Sequence, residues 1–160
     1  MNSMPVEGER DDWHALFVRT DYSDDAAWAE VLAASAEPWM DDDDVDTPSV
    51  VHVVEGPAWD GVDAAYVLSQ IADDTLSAVF IADKAAMVAD HHAVLAVSTA
   101  TRADFETDEE YRYEVENERP FRITPSQAMN LHTQLTLANM DFEEFCSAAA
   151  QDPEGVFRGF

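Results

Sequence analysis

The sequence predicts a single α/β domain: a central mixed, mostly parallel sheet flanked by helices, with an antiparallel hairpin between the fourth and fifth strands. Three observations lead there. Short apolar runs rich in strand formers alternate with segments whose apolar residues recur at helical spacing, and repeated strand-then-helix units build parallel sheets packed between helices. The 160 residues suit one domain, and 47% of them are apolar or aromatic, enough for a full core without disulfides or a structural metal. The regularity fails between residues 99 and 120, where acids dominate and no crossover helix is legible. Residues 1–12 read as a flexible acidic lead-in and 13–160 as the domain.

His14 to Thr20 (HALFVRT) is the first strand candidate, and Ser23 reads as the N-cap of the helix that follows. In that helix Ala27, Trp28, Val31 and Leu32 share a face, while Asp24 and Asp25 sit in the first turn, where the helix dipole favours acid. Residues 36–49 hold two prolines and five aspartates and read as an exposed loop. Ser49 to Glu55 (SVVHVVE) is a β-branched run, as in a strand covered on both faces; after GPAWDG, the residues Ala64, Val67, Leu68 and Ile71 follow a helical period.

Leu76 to Ala82 and Ala93 to Ser98 are the third and fourth strands, with the short helix former KAAMVAD between them, so three or four strands are expected to run parallel. Tyr111 to Val115 (YRYEV) alternates as a half-exposed strand does, and Phe121 to Thr124 (FRIT) reads as the last strand. Thr124 and Pro125 supply an N-cap and an N1 proline for a helix carrying Leu131, Leu135, Ala138 and Phe142. Asn139 marks a break, Asp141 and Glu144 have capping-box spacing for a second short helix, and the ending GVFRGF offers two phenylalanines to the core.

Charge is the other conspicuous property: 34 Asp and Glu against 8 Lys and Arg, net -26. Residues 1–46 carry 14 acids and 2 bases, and residues 103–119 carry 8 acids and 2 bases. Self-repulsion on that scale serves solubility, salt tolerance or a positively charged partner. The single lysine, Lys84, and the abundance of Asp also fit a high-salt surface. Direct nucleic-acid binding is disfavoured, because phosphate contact depends on Lys and Arg. The N-terminus lacks the basic and apolar regions of a signal peptide, no apolar run is long enough to span a bilayer, and one cysteine cannot form a disulfide framework. A cytoplasmic protein that does not insert into a membrane is the expectation.

The stretch LFVRTDYSDDAAW, through Arg19, Thr20, Asp21, Ser23 and Trp28, and the ending LTLANMDFEEF with GVFRGF, through Asn139, Met140, Asp141, Phe142, Glu143, Glu144 and Phe145, resemble a family of small actinobacterial proteins known only as a domain of unknown function. The resemblance runs through most of the chain and implies a bacterial domain without implying a reaction. The acidic segment 103–119 looks longer than the tight hairpin of that family.

Two sets of residues are candidates for function. Asp21, Glu55 and Asp83 follow the first three strands and should share the carboxyl edge of the sheet, where three carboxylates could hold Mg²⁺. This looks like a receiver domain with Asp83 as phosphoacceptor, but a receiver has Lys where Thr124 precedes Pro125. The bland alternative is that Asp21 and Asp83 cap turns. The second set is Trp39, Asp41, Asp42, Asp43, Asp44, Glu109, Glu110, Tyr111 and Glu114, in which acid would steer a basic protein or peptide and aromatics would anchor it. The tandem His91 and His92 point to opposite sides if extended and cannot easily share a metal; Cys146 reads as a small buried hydrophobe; no nucleophile elbow or phosphate cradle is present. The reading is therefore a non-enzymatic acidic binding or inhibitory module with no cofactor, and the alternative is a Mg²⁺-dependent carboxylate-edge enzyme or degenerate receiver.

Overall fold

The structure is a computed structural model that describes residues 14–37, 51–71, 77–99, 106–117 and 119–159, with backbone alone at 114–117. The expected lead-in, residues 1–12, lies outside the described residues. The first apolar run forms strand β1 (Ala15–Arg19), with all five side chains buried. Side chains alternate across a strand, so burying every one of them requires cover on both faces. The strand lies inside a sheet of order β2-β1-β3-β4-β5-β6, in which β1 pairs in parallel with β2 (Val51–Val54) and β3 (Ala78–Ala82), and elements packed on either side of that sheet supply the cover. Helix α1 (Asp25–Ser35) links β1 to the β2 segment, and a 3-10 turn at Pro57–Trp59 and helix α2 (Ala64–Gln70) follow β2.

Alternation sorts the sheet's side chains into two cores. Leu16, Val18, Val79, Ile81 and Val97 meet Trp59 of the 3-10 turn and Val67 of α2 on one face. Ala15, Phe17, Ala78, Phe80 and Ala96 face the other way, against Trp28 and Val31 of α1 and the later helices. Phe17 and Phe80 stack with centroids 5.3 Å apart at the centre of that second core.

Helix α3 (Lys84–Val88) is too short to carry a crossover. The segment from Asp83 to Ala93 falls below the dozen or so residues that a parallel return needs, and β4 (Val94–Ser98) accordingly runs antiparallel to β3. The expected antiparallel pairing of the fourth and fifth strands is present, between β4 and β5 (Phe121–Ile123). Among the described strands only β4 is reversed; β1, β2, β3, β5 and β6 (Val156–Phe157) point one way, β6 being parallel to β5.

The largest departure from the sequence reading lies between β4 and β5. YRYEV belongs to helix α4 (Asp108–Asn117), not to a strand. Thr107 begins it, its Oγ1 accepting the Glu110 amide at 3.1 Å, and Asp108, Glu109 and Glu110 occupy the first turn. Capping and dipole terms outweigh five residues of alternation. At α1 the N-cap is Asp24, which accepts from the Ala27 amide at 3.0 Å, because the Ser23 amide and hydroxyl are turned to the Asp21 carboxylate. The second strand is an edge strand, with only Val54 of its four residues fully buried, and not one covered on both faces.

Beyond β5 a 3-10 turn at Pro125–Gln127 leads into α5 (Ala128–Thr136), and the break falls at Ala138, whose φ is 56°. Helix α6 (Phe142–Ala150) starts as its spacing predicts, the Glu144 side chain accepting the Asp141 amide at 2.8 Å. Phe145 of α6 packs edge-on to Phe157 of β6 at 5.1 Å, so the ending does return to the core, as an added strand. Phe160 lies outside the described residues. Among them, no helix is long and apolar enough to cross a membrane.

Candidate functional site

The strand directions define two edges. At the carboxyl edge Glu55, Asp21 and Asp83 follow β2, β1 and β3, which are neighbours in that order. The chain reverses its order of addition between β1 and β3, the position where open α/β sheets commonly hold ligands. Adjacency has not made these carboxylates a set. Both oxygens of Asp83 are held by Arg122 of β5, at 2.6 and 2.8 Å, and Oδ1 also accepts the Ala86 amide at 3.2 Å as the N-cap of α3. Glu55 is exposed. Among the described residues, no group of three or more His, Cys, Asp or Glu is arranged to hold a metal ion.

Asp21 is shaped by its own turn. Partial burial opposes its charged form, but the hydrogen bonds from the Ser23 hydroxyl and amide, with the charges of Lys84 and Arg19, win and hold its carboxyl below the usual carboxylate range. Beside it Arg19 is 5% exposed, lying 4.4 Å from the Tyr22 ring centroid and 5.3 Å from that of Trp28. Its Nε donates to the Asp21 carbonyl and its Nη2 to Asp25 Oδ1, each at 2.8 Å. The Tyr22 hydroxyl receives the Gly56 amide at 2.6 Å, tying the end of β1 to the end of β2. Arg19, Tyr22 and Trp28 thus form a cation box that fixes the turn, and the residues that make the opening stretch distinctive have this structural use.

The acid-rich connections join the sheet at the opposite edge. The chain enters β2 at Val51, leaves β4 at Ser98 and enters β5 at Phe121, all at the amino end of the parallel strands. Both acid-rich connections, 36–50 and 99–120, are therefore anchored on one edge. The entry to β2 and the exit from β4 are three strand spacings apart, about 14 Å. In the second connection Glu109 and Glu110 are exposed, Tyr111 is half-buried and Tyr113 is 61% exposed. Glu114 belongs to α4. Trp39, Asp41, Asp42, Asp43 and Asp44 lie outside the described residues.

The arginines near the carboxyl edge do little to offset this acid. Arg19 is engaged with Asp25, Arg122 with Asp83, and Arg158 with Asp152 at 3.1 Å and Glu154 at 2.8 Å. Cys146 donates to the Arg119 carbonyl at 3.4 Å, and burial pushes its thiol up, away from nucleophilic form.

With that geometry in place, comparison with known proteins decides the family, since a model of a domain of unknown function matches residues 14–160. The chain belongs to DUF6924. The match covers β1 through β6, so the cation box, the carboxyl edge and α4 all lie within the DUF6924 domain. No curated protein and no solved structure matches the chain.

Spacing missed α4, although its signal was present. Thr107 and Glu110 stand three apart, with acids at 108, 109 and 110, the pattern of a capped helix start. The cation box has no comparable signature, because Arg19 reads as the polar end of a strand until Trp28 is folded onto it.

Proposed function

We propose that this DUF6924 domain is a non-enzymatic binding or inhibitory module that receives a basic protein or peptide on the acidic amino edge of its sheet. The observation that carries the reading is the anchoring of both acid-rich connections at that edge, one of them presenting α4 with exposed Glu109 and Glu110 beside exposed Tyr113. On α4 the side chains of Glu109, Glu110 and Tyr113 are exposed and accessible to a partner. A net charge of -26 attracts a basic partner from a distance, and aromatic rings supply contact area once water is expelled. The carboxyl edge offers less to a reaction, with Asp83 committed to Arg122.

The test measures association with an arginine-rich peptide carrying one tryptophan. Reversing Glu109→Lys and Glu110→Lys should slow association at low salt about tenfold, and the difference should vanish near ~0.5 M salt. The control, Glu55→Lys with Asp90→Lys, makes the same change in net charge at the carboxyl edge, where both acids are exposed. Equal slowing by the two pairs would mean that the field is uniform and that the amino edge has no special role.

A further inference from the structure

The carboxyl edge carries a pocket that is separate from the acidic amino edge and its proposed partner. Its volume is about 550 Å³, within the range that holds small ligands, and it is lined by Val88, Ala89, Asp90, His91, Glu154 and Arg158. Topology brings these two distant segments together. Because β4 is reversed, the connection that precedes it, 89–93, lies at the edge where β6 ends and Arg158 follows.

The polar groups of the pocket are already arranged around a carboxylate. Arg158 Nη2 donates to Glu154 Oε1 at 2.8 Å, and the other oxygen of Glu154 lies 3.7 Å from His91 Nε2. His91 Nδ1 accepts the Ala93 amide at 3.0 Å, so Nε2 carries an N–H that faces this oxygen. A separation of 3.7 Å exceeds hydrogen-bond reach, so Glu154 engages one donor fully and the second only at ion-pair distance. Arg158 does not depend on Glu154 for its orientation. Its Nε donates to Asp152 Oδ1 at 3.1 Å, and Asp152 Oδ2 accepts the Glu154 and Val156 amides at 2.9 and 3.2 Å. The Glu154 side chain is 63% exposed, which leaves room for it to turn outward. Arg158 is thus an oriented guanidinium whose second partner is exchangeable.

The geometry points to a binding site for a small zwitterion that carries an apolar group, an α-amino acid with an aliphatic side chain being the simplest example. Its carboxylate takes the place of Glu154 between Arg158 and His91 Nε2, where a charge-assisted bond from the guanidinium is strong. The displaced Glu154 carboxylate pairs with the ligand's ammonium, so one ion pair is exchanged for two. Val88, 72% exposed, and Ala89 give the aliphatic group an apolar wall. Asp90 on the lining and the net charge of -26 oppose a ligand with net negative charge, whereas a zwitterion brings none.

Amide chemical shifts of the full chain, titrated with L-leucine, test this. Saturable shifts at residues 89–93 and 154–158 are expected, and Arg158→Gln should weaken the affinity about tenfold or more, as loss of a charge-assisted bond does. Arg158→Lys keeps the charge but loses the fork; it should weaken binding too and provides the test if Arg158→Gln folds poorly. N-acetyl-leucine keeps the carboxylate and the apolar group but has no ammonium, as in the last residue of a peptide. It should bind several-fold more weakly than leucine, and Glu154→Gln should narrow that difference. The absence of saturable shifts in both segments, equal affinity for leucine and N-acetyl-leucine, or leucine binding that Arg158→Gln leaves unchanged would each overturn the site.

Discussion

Asp21 shows how one residue's surroundings set its chemistry. Its carboxylate is stabilised by two bonds from Ser23 and by the charges of Lys84 and Arg19, which together overcome the cost of partial burial. A carboxyl held below its unfolded value contributes stability that is present above about pH 4 and is lost as pH falls through the lowered value. Asp21→Asn should therefore flatten the acid limb of a stability-against-pH curve while leaving the slope above pH ~5 unchanged, as denaturant titrations can read. An unaltered acid limb would show that the Ser23 turn contributes nothing to folding. Arg19, beside it, is held by geometry. Buried, close to two aromatic rings and bonded through Nε and Nη2, it uses the planar fork that lysine lacks.

The elements differ in how far local sequence determined them. Strands β1, β3 and β4 and helices α2 and α6 were legible because burial and capping act on residues close in sequence: every side chain of ALFVR had to be covered, and Asp141 with Glu144 could cap only one helix start. Strand β6 was not legible. Val156 and Phe157 become a strand only because Arg122 and Ile123 of β5 lie beside them, a pairing no local pattern encodes. The carboxyl-edge positions of Asp21, Glu55 and Asp83 were legible too, but the partner of Asp83 was not, since Arg122 is 39 residues away. Helix α4 was misread because alternation in YRYEV was weighed above the Thr107 cap. That cap carries a prediction: Thr107→Ala removes a bond worth about 1 kcal/mol. Amide protection through the first turn of α4 should fall several-fold while the β1 and β3 amides stay unchanged. Protection that survives the substitution would mean that packing, not capping, forms α4.

At the scale of the whole molecule, charge and topology act together. Self-repulsion from a net charge of -26 opposes compaction, and two apolar cores on either side of one sheet offset it. The reversed β4 sends the 99–120 connection to the same edge as the 36–50 connection, so acid distant in sequence is anchored on one side. An acidic face with an aromatic anchor differs from a merely acidic face in its response to salt. Screening at ~0.5 M shortens the reach of charge to a few Å and leaves apolar contact intact. The most direct measurement is affinity capture from a lysate of the source cell at low salt and at ~0.5 M, with the unsubstituted chain and with Tyr113→Ala. A protein or peptide with a basic surface, retained by the unsubstituted chain at both salts and lost by Tyr113→Ala at the higher one, is the expected result. Captured material that disappears at ~0.5 M salt from both proteins alike would contradict it, leaving the acidic edge an ion exchanger with no built interface.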